Sequence, residues 1–203
     1  MVFYRPEERD RALLPHDPFK ALVAPRPIGW ISTRSTGGAV NLAPYSFFNA
    51  VSDDPPIVMF SSAGMKDSAR NALETREFVW NLASFDLREG MNLSSKRLPP
   101  GESEFAFAGL REAPSRVVAP PRVADAPVSL ECRVTQVVQL QDLAGAEIER
   151  WMVMGQVVGV HIDEAFLLSD GRVDTAAMRP LARGGYLDEY SVADNLLRMR
   201  RPD

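Results

Sequence analysis

The groups able to bind a polar ligand crowd into one stretch, residues 26–71. Ser32, Thr33, Ser46, Asn49, Ser61, Ser62 and Ser68 supply hydroxyl and amide groups there, and Lys66 supplies an ammonium. A helix starting near Asp67 adds unpaired backbone amides. That mixture suits a phosphate monoester, because hydroxyls, amides and an ammonium all favour an anion. Asp67 would oppose an anion if it turned inward, and as a good N-cap residue it is expected to cap the helix instead. Taken alone, serines at strand ends are more often solvated turn residues. Other chemistries are poorly supplied. Neither His16 nor His161 sits in a nucleophile motif, and there is no Gly-x-Ser-x-Gly elbow, no Gly-x-Gly-x-x-Gly and no P-loop. Cys132 lies on an apolar strand face and reads as an inert core thiol. His161 ends a long apolar strand and reads as a structural histidine.

Three apolar runs broken by turns must position these groups. A strand over 28–33, a turn at Ser35-Thr-Gly-Gly38 and a returning strand over 40–48 form a hairpin, with Pro44 marking an edge or a bulge. Asp53-Asp-Pro-Pro56 turns the chain into a buried strand over 57–61. A short apolar stripe at Ala69, Ala72 and Leu73 then predicts a helix. Further strands are expected over 77–83, 128–140 and 150–162, with a helix over 87–98 stopped at Pro99-Pro-Gly101. In 128–140 the alternation puts Val128, Leu130, Cys132, Val134, Val138 and Leu140 on one face and Ser129, Glu131, Arg133, Thr135 and Gln139 on the other. Gly155 and Gly159 mark places where a barrel strand bends or another backbone approaches. Strands joined mostly by turns indicate an antiparallel Greek-key barrel with helical insertions. The expected division is an arm and short helix over 1–23, a barrel domain over 24–186 and a tail over 187–203.

Composition bounds the rest. A chain of 203 residues with 45% hydrophobic and 25% charged residues is ordinary for one soluble domain. A formal charge of −4 argues against nucleic-acid binding. One cysteine excludes an internal disulfide, and two histidines give little support to a metal site. No signal pattern or membrane-length apolar run is seen, so a cytoplasmic protein without a membrane partner is expected. The two-sided apolar run from Trp151 to Val160 needs cover beyond one sheet, which suggests a homodimer.

Taken together the motifs carry a resemblance. Arg26-Pro-Ile-Gly-Trp-Ile-Ser-Thr33 and Asn41-Leu-Ala-Pro-Tyr-Ser-Phe-Phe-Asn-Ala-Val-Ser52 are followed by Asp54-Pro-Pro56, Lys66-Asp-Ser68, Ser129-Leu-Glu-Cys132 and Gly155-Gln-Val-Val-Gly-Val-His-Ile162. Pro180-Leu-Ala-Arg-Gly-Gly-Tyr186 and Arg201-Pro202 close the series. This ordered set resembles the flavin reductase-like, FMN-binding split-barrel family, which includes flavoredoxin. The resemblance implies a six-stranded antiparallel Greek-key split β-barrel, a homodimer and one FMN per subunit near the dimer interface. It implies that Ser32 and Thr33 lie beside the flavin, and that Ser46, Phe47, Asn49 and Ala50 line its ring and ribityl chain. It also implies that Ser61, Ser62, Lys66 and Ser68 surround the phosphate, and that Arg183 and Gly184 to Tyr186 close the groove. Hydride transfer itself needs no acid or base, so no catalytic residue is expected. The implied activity is reduction by NAD(P)H with electrons passed to free flavin or another small acceptor. The alternatives are a flavoredoxin-like electron carrier, a flavin-free dimeric binding domain or a pyridoxamine-phosphate oxidase.

Overall fold

In chain order the elements are α1 (Phe19–Leu22), β1 (Arg26–Pro27), β2 (Gly29–Arg34), β3 (Val40–Tyr45), β4 (Phe48–Asp53) and β5 (Pro56–Ala63). Next come α2 (Asp67–Thr75), β6 (Glu77–Asn81), α3 (Arg88–Leu93), α4 (Glu104–Phe107), β7 (Glu112–Ala113) and β8 (Arg122–Val123). The chain ends with β9 (Val128–Gln141), β10 (Glu147–Ile162), β11 (Leu181–Arg183) and β12 (Tyr190–Val192). This computed structural model describes residues 1–99, 102–200 and 202. Pro100, Gly101 and Arg201, which figured in the expected helix stop and tail motif, lie outside the described residues.

An antiparallel sheet runs in the order β3-β2-β6-β9-β10-β5-β4. Its two edge strands, β3 and β4, are consecutive in the chain but do not pair, so the sheet curls into a barrel with one open seam. Seven strands stand where six were expected. The run over 40–48 breaks at Ser46-Phe47 and resumes as β4, which then pairs with β5 from Phe48↔Phe60 to Asp53↔Pro56. A smaller sheet, β1-β11-β12, carries part of the tail back onto the domain.

The barrel interior holds Ile31, Tyr45, Phe48, Val58, Phe60, Phe78, Cys132, Val134 and Val153, with Ala69 and Ala72 of α2 packed among them. The Phe60 and Phe78 rings meet edge-on at 5.4 Å. Gly155 makes room for this: a Cβ there would stand 2.4 Å from the Phe78 ring. Burial pushes the Cys132 thiol pKa up, with Glu131 adding to the effect, so it is an unreactive core group. A second cluster, with Trp30, Leu42, Met91, Phe105, Val123 and Leu181, lies outside the barrel.

The two faces of β9 are not those the alternation predicts. The β9–β10 register slips between Met154↔Gln136 and Gly155↔Val134, so Thr135 is an extra residue in β9. After this bulge Val137 packs toward the interior and Val138 turns outward. Ser129 and Glu131, on the polar face, are completely buried.

The cover over that polar face is the segment over 114–123. Its Arg116, Val117 and Val118 amides donate to the Glu131 carboxylate at 2.7, 2.6 and 3.0 Å. The Ala119 amide donates to Glu77, the Val123 amide to Asn81, and the Ser32 hydroxyl to the Pro121 carbonyl. His161 Nε2 lies 2.5 Å from Glu131 Oε1, which gives the structural role expected of this histidine. Gly159 faces Glu131, and a Cβ there would come within 3.3 Å of its side chain. Burial raises the Glu131 pKa, but the bonds from His161 and the three amides outweigh it and leave the carboxyl below its ordinary value.

Because the folded-state pKa is the lower one, the Glu131 contribution is complete above the unfolded value, about pH 4.3. It is lost as pH falls through the folded-state pKa. Glu131→Gln removes the charge and leaves amides of the 114–123 segment facing a donor, which should cost about 3 kcal/mol or more at neutral pH. Melting curves across a pH series should show a gap between wild type and variant that narrows in acid below roughly pH 4. A constant gap would assign the loss to packing.

Candidate functional site

The nine-residue helix α2 begins with no side-chain cap. Lys66 occupies the N-cap position in an extended conformation, and no side chain bonds to the first-turn amides. Asp67 therefore does not cap as expected. It stands in the first turn and pairs with Arg70 at 2.7 Å on the exposed face. The reason is local: Lys66 already provides the extended N-cap backbone, and Arg70, three residues on, meets the Asp67 carboxylate. Lys66 is exposed and belongs to none of the ion pairs among the described residues. An ammonium thus sits beside free amides, while the one carboxylate of that turn is neutralised.

The sequence-expected residues divide into two sets. Thr33, Ser62 and Ser68 are buried in a lattice that joins α2 to the barrel. The Asn71 amide donates to the Thr33 hydroxyl at 3.0 Å, and the Asn41 amide donates to the Ser68 hydroxyl at 2.7 Å. The Ser62 hydroxyl donates to the Gly64 carbonyl at 2.8 Å. Tyr45 joins the same lattice: burial raises its phenol pKa, and hydrogen bonds to Ser68 and Ser62 oppose the rise. These hydroxyls hold the helix start in place. Sequence reasoning assigned no role to Asn41, Asn71 or Tyr45, although all three lie within the polar stretch. Their types did not show which strand ends would meet α2.

Ser32 is a correction. It is fully buried, bonded to the Pro121 carbonyl at 2.5 Å under the 114–123 segment, and points away from the barrel interior that Ile31 enters. A serine beside it on the strand must face the opposite way, so the hydroxyl is closed to a ligand in the groove.

The second set is open. Ser46 and Ser61 are half-buried, while Lys66, Asn49 and Ala50 are exposed. Phe47 is 41% exposed. The Ser61 amide donates to the Phe47 carbonyl at 2.8 Å, which closes the corner between β4 and β5. Because β4 is a sheet edge, alternate backbone groups along Asn49 and Ala50 face away from β5. Asn49 is exposed, and its side-chain oxygen accepts from the Ala50 amide at 2.9 Å. A serine-lined corner, an aromatic wall, an unpaired strand edge and an uncapped helix start therefore run along one side of the barrel.

A cleft of about 680 Å³ lies on the other side of the α2 start, beside Asn41. Its carboxylates, Asp67, Glu74, Glu102 and Glu104, outnumber its arginines, Arg70 and Arg97. Burial raises the Glu104 pKa, opposed by the Leu42 amide, and Asp67 adds to the rise. This acid excess disfavours a phosphate in that cleft, whereas Lys66 stands outside its lining.

Residues 22–177 match the family described as flavin reductase like domain. An uncharacterized protein of Aquifex aeolicus is 37% identical over 169 residues, covering 81% of this chain and 83% of its own length. The chain belongs to the flavin reductase like domain family. Its fold agrees with nitrilotriacetate monooxygenase component B from Bacillus cereus, at a TM-score of 0.87 and 28% identity over 98% of both chains. It also agrees with a 2-nitrobenzoate 2-nitroreductase from Pseudomonas fluorescens, at a TM-score of 0.80 and 28% identity over 91% of this chain and 88% of that one. The family is one of flavin-related oxidoreductases with a split barrel. Residues 46–68 lie within the matched span, whereas Arg183, Tyr186 and Tyr190 lie beyond it. Among the described residues no helix is long and apolar enough to cross a membrane.

Ser32, closed off beneath the 114–123 segment, should act on stability and not on ligand binding. Ser32→Ala should lower stability by about 1 kcal/mol, the scale of one lost buried hydrogen bond, and leave flavin affinity unchanged. Denaturant unfolding and a flavin titration on the same sample measure both. A large affinity loss with unaltered stability would return Ser32 to the groove.

Proposed function

We propose that the protein is an FMN-binding oxidoreductase of the flavin reductase type, taking reducing equivalents from NADH or NADPH and passing them to free flavin or another small acceptor. The observation that carries the reading is the uncapped start of α2 beside the unpaired Lys66 ammonium. Amides there carry partial positive charge, and a phosphate dianion satisfies them and the ammonium together. Lys66 and the first-turn amides of α2 would hold the phosphate. The Ser46 and Ser61 hydroxyls and the β4 edge at Asn49 and Ala50 would meet the ribityl chain and the polar ring edge. Phe47 gives an apolar wall. Thr33, Ser62 and Ser68 keep the helix start and β5 in register without touching the ligand. Bound FMN supplies the hydride and electron chemistry. The chain's own work is to bind and orient, and the exposed Asn49 side chain, whose oxygen is taken by the Ala50 amide, keeps its NH2 as a donor where negative charge develops on a ring. No side chain of the groove has to move a proton.

The register also supports a homodimer. Val138, Met152 and Ser61 stand side by side across three strands, as do Gln136, Met154, Met59 and Asn49 across four. A methionine-rich outward row runs into the groove, so a second copy covering it would border the flavin.

Lys66→Ala should weaken FMN binding about tenfold or more, the loss of one charge-assisted contact, and leave riboflavin nearly unaffected. Equal losses for both would place Lys66 elsewhere. Purified protein should be yellow, or become so with FMN, and bleach rapidly on addition of NADH or NADPH alone. Yellow protein that neither nucleotide reduces would favour the electron carrier, and protein that takes up no FMN would favour the flavin-free binding domain. In sedimentation at micromolar concentration the particle should have twice the chain mass; a clean monomer ends the dimer reading.

A further inference from the structure

Next to the groove, two arginines stand side by side with no carboxylate to balance them. Arg26 of β1 and Arg183 of β11 are register partners. Arg26 is 7% exposed. Its guanidinium donates to the carbonyls of Lys20, Val23 (2.8 Å) and Gly184 (2.9 Å). Its Nε is buried with no hydrogen-bond partner. Burial lowers the Arg26 pKa and the neighbouring Arg183 lowers it further, the sign of a cation held against a like charge. Arg183 donates to the Tyr190 hydroxyl at 2.6 Å and to the Leu187 carbonyl. Neither arginine belongs to any ion pair among the described residues. Glu189, in the same loop, commits one carboxylate oxygen to the Gly185 and Tyr186 amides.

Each guanidinium also lies over an exposed ring. Arg26 Cζ is 5.9 Å from the Phe47 centroid, and Arg183 Cζ is 4.7 Å from that of Tyr190. The row Phe47, Arg26, Arg183, Tyr190 therefore runs from the groove to the tail, with two charges between two flat surfaces. Protein carbonyls solvate the inner charge, but carbonyl dipoles do not neutralise it. An anion meeting Arg183 would balance both charges, and a guanidinium engages the oxygens of a phosphate or carboxylate through paired donors.

We propose that Arg183, backed by Arg26 and flanked by Phe47 and Tyr190, is the subsite for the anionic group of the second reactant, a phosphate or carboxylate joined to a planar ring. This rests on the flavin reading for what Phe47 adjoins, but the anion site itself depends only on the arginines and the rings. Arg183 is the contact residue, and Arg26 is a positioning residue that also ties α1 and the 184–190 loop to β1. A phosphate would come from a nicotinamide dinucleotide donor, and a carboxylate from an aromatic acid acceptor.

The test is to titrate inorganic pyrophosphate and benzoate into flavin-free protein, following melting temperature and tyrosine fluorescence, with wild type, Arg183→Gln and Arg183→Lys. Saturable binding should weaken about tenfold or more in Arg183→Gln and be largely kept in Arg183→Lys, while FMN affinity stays within about twofold in all three. Pyrophosphate binding without benzoate binding assigns the site to the dinucleotide donor, and the reverse assigns it to an acid acceptor. Saturable binding that is equal in wild type and Arg183→Gln, or absent for both anions in wild type, overturns the proposal. If wild type takes up no FMN but binds an anion through Arg183, the flavin reading fails and the anion site stands.

Discussion

The carboxylate of Glu131 has no contact with water, and the outer half of the structure is arranged around that fact. An isolated buried carboxylate would cost several kcal/mol. Here it accepts three consecutive backbone amides and meets His161, so its charge is distributed over partners fixed in the backbone. Those amides can reach it only if the 114–123 segment crosses the barrel. Once the segment lies there it also takes up Ser32, Glu77 and Asn81 on neighbouring strands. One buried charge thus decides which wall of the barrel is closed. The wall left open runs along β4, β5 and β10, where the groups assigned to the ligand in the proposed reading stand.

Packing inside the barrel gives the same polarity by a different route. Phe60 and Phe78 fill the interior, and Ala69 and Ala72 of α2 reach the same core without exposure. Alanine at both positions lets the helix sit close. That fixes its buried face and leaves its amino end at the rim, where Thr33, Ser62 and Ser68 are bonded around it. The amino end of α2, where the proposed reading puts the phosphate, is therefore held by the core and by a hydroxyl lattice at once.

Much of this could be read from the residues. The strand order in the chain, the helix at Asp67, the cysteine in the core and the structural histidine all follow from local pattern and chemistry. What could not be read has physical causes. The bulge at Thr135 changes the faces of β9 without changing its composition, so Val138 looks as apolar as Val134 yet turns outward. Glu131 has the sequence context of a solvent-facing residue, because the segment that buries it lies more than ten residues away in the chain. The break at Ser46-Phe47 lies two residues past Pro44, the position the sequence marks as irregular, and it produces the seventh strand. Within the site, alternation alone separates Ser32 from Thr33, but which of the two faces was open depended on long-range cover. Residue types alone marked the polar cluster, and the resemblance added Phe47 and Ala50 to it; only the fold divided these residues into buried groups that hold others in place and groups that stand open.

A planar cofactor could not occupy the interior of this barrel. Two aromatic rings meet there at 5.4 Å, and Gly155 lacks a side chain because the Phe78 ring already fills that volume. A flat ligand must then lie outside the barrel, and in the proposed reading it lies along the β4 edge with one face of the ring accessible. That geometry favours exchange: a second reactant can stack on the free face without the barrel opening. It also demands charge at the rim, since an exposed groove gives little burial with which to hold a polyanion. The chain carries a formal charge of −4, yet Lys66, Arg26 and Arg183 are all free of carboxylate partners among the described residues around this groove. Unbalanced cations on an acidic protein focus anions locally while the rest of the surface repels them. In the proposed reading, binding at the split edge thus relies on placed charge and stacking more than on enclosure.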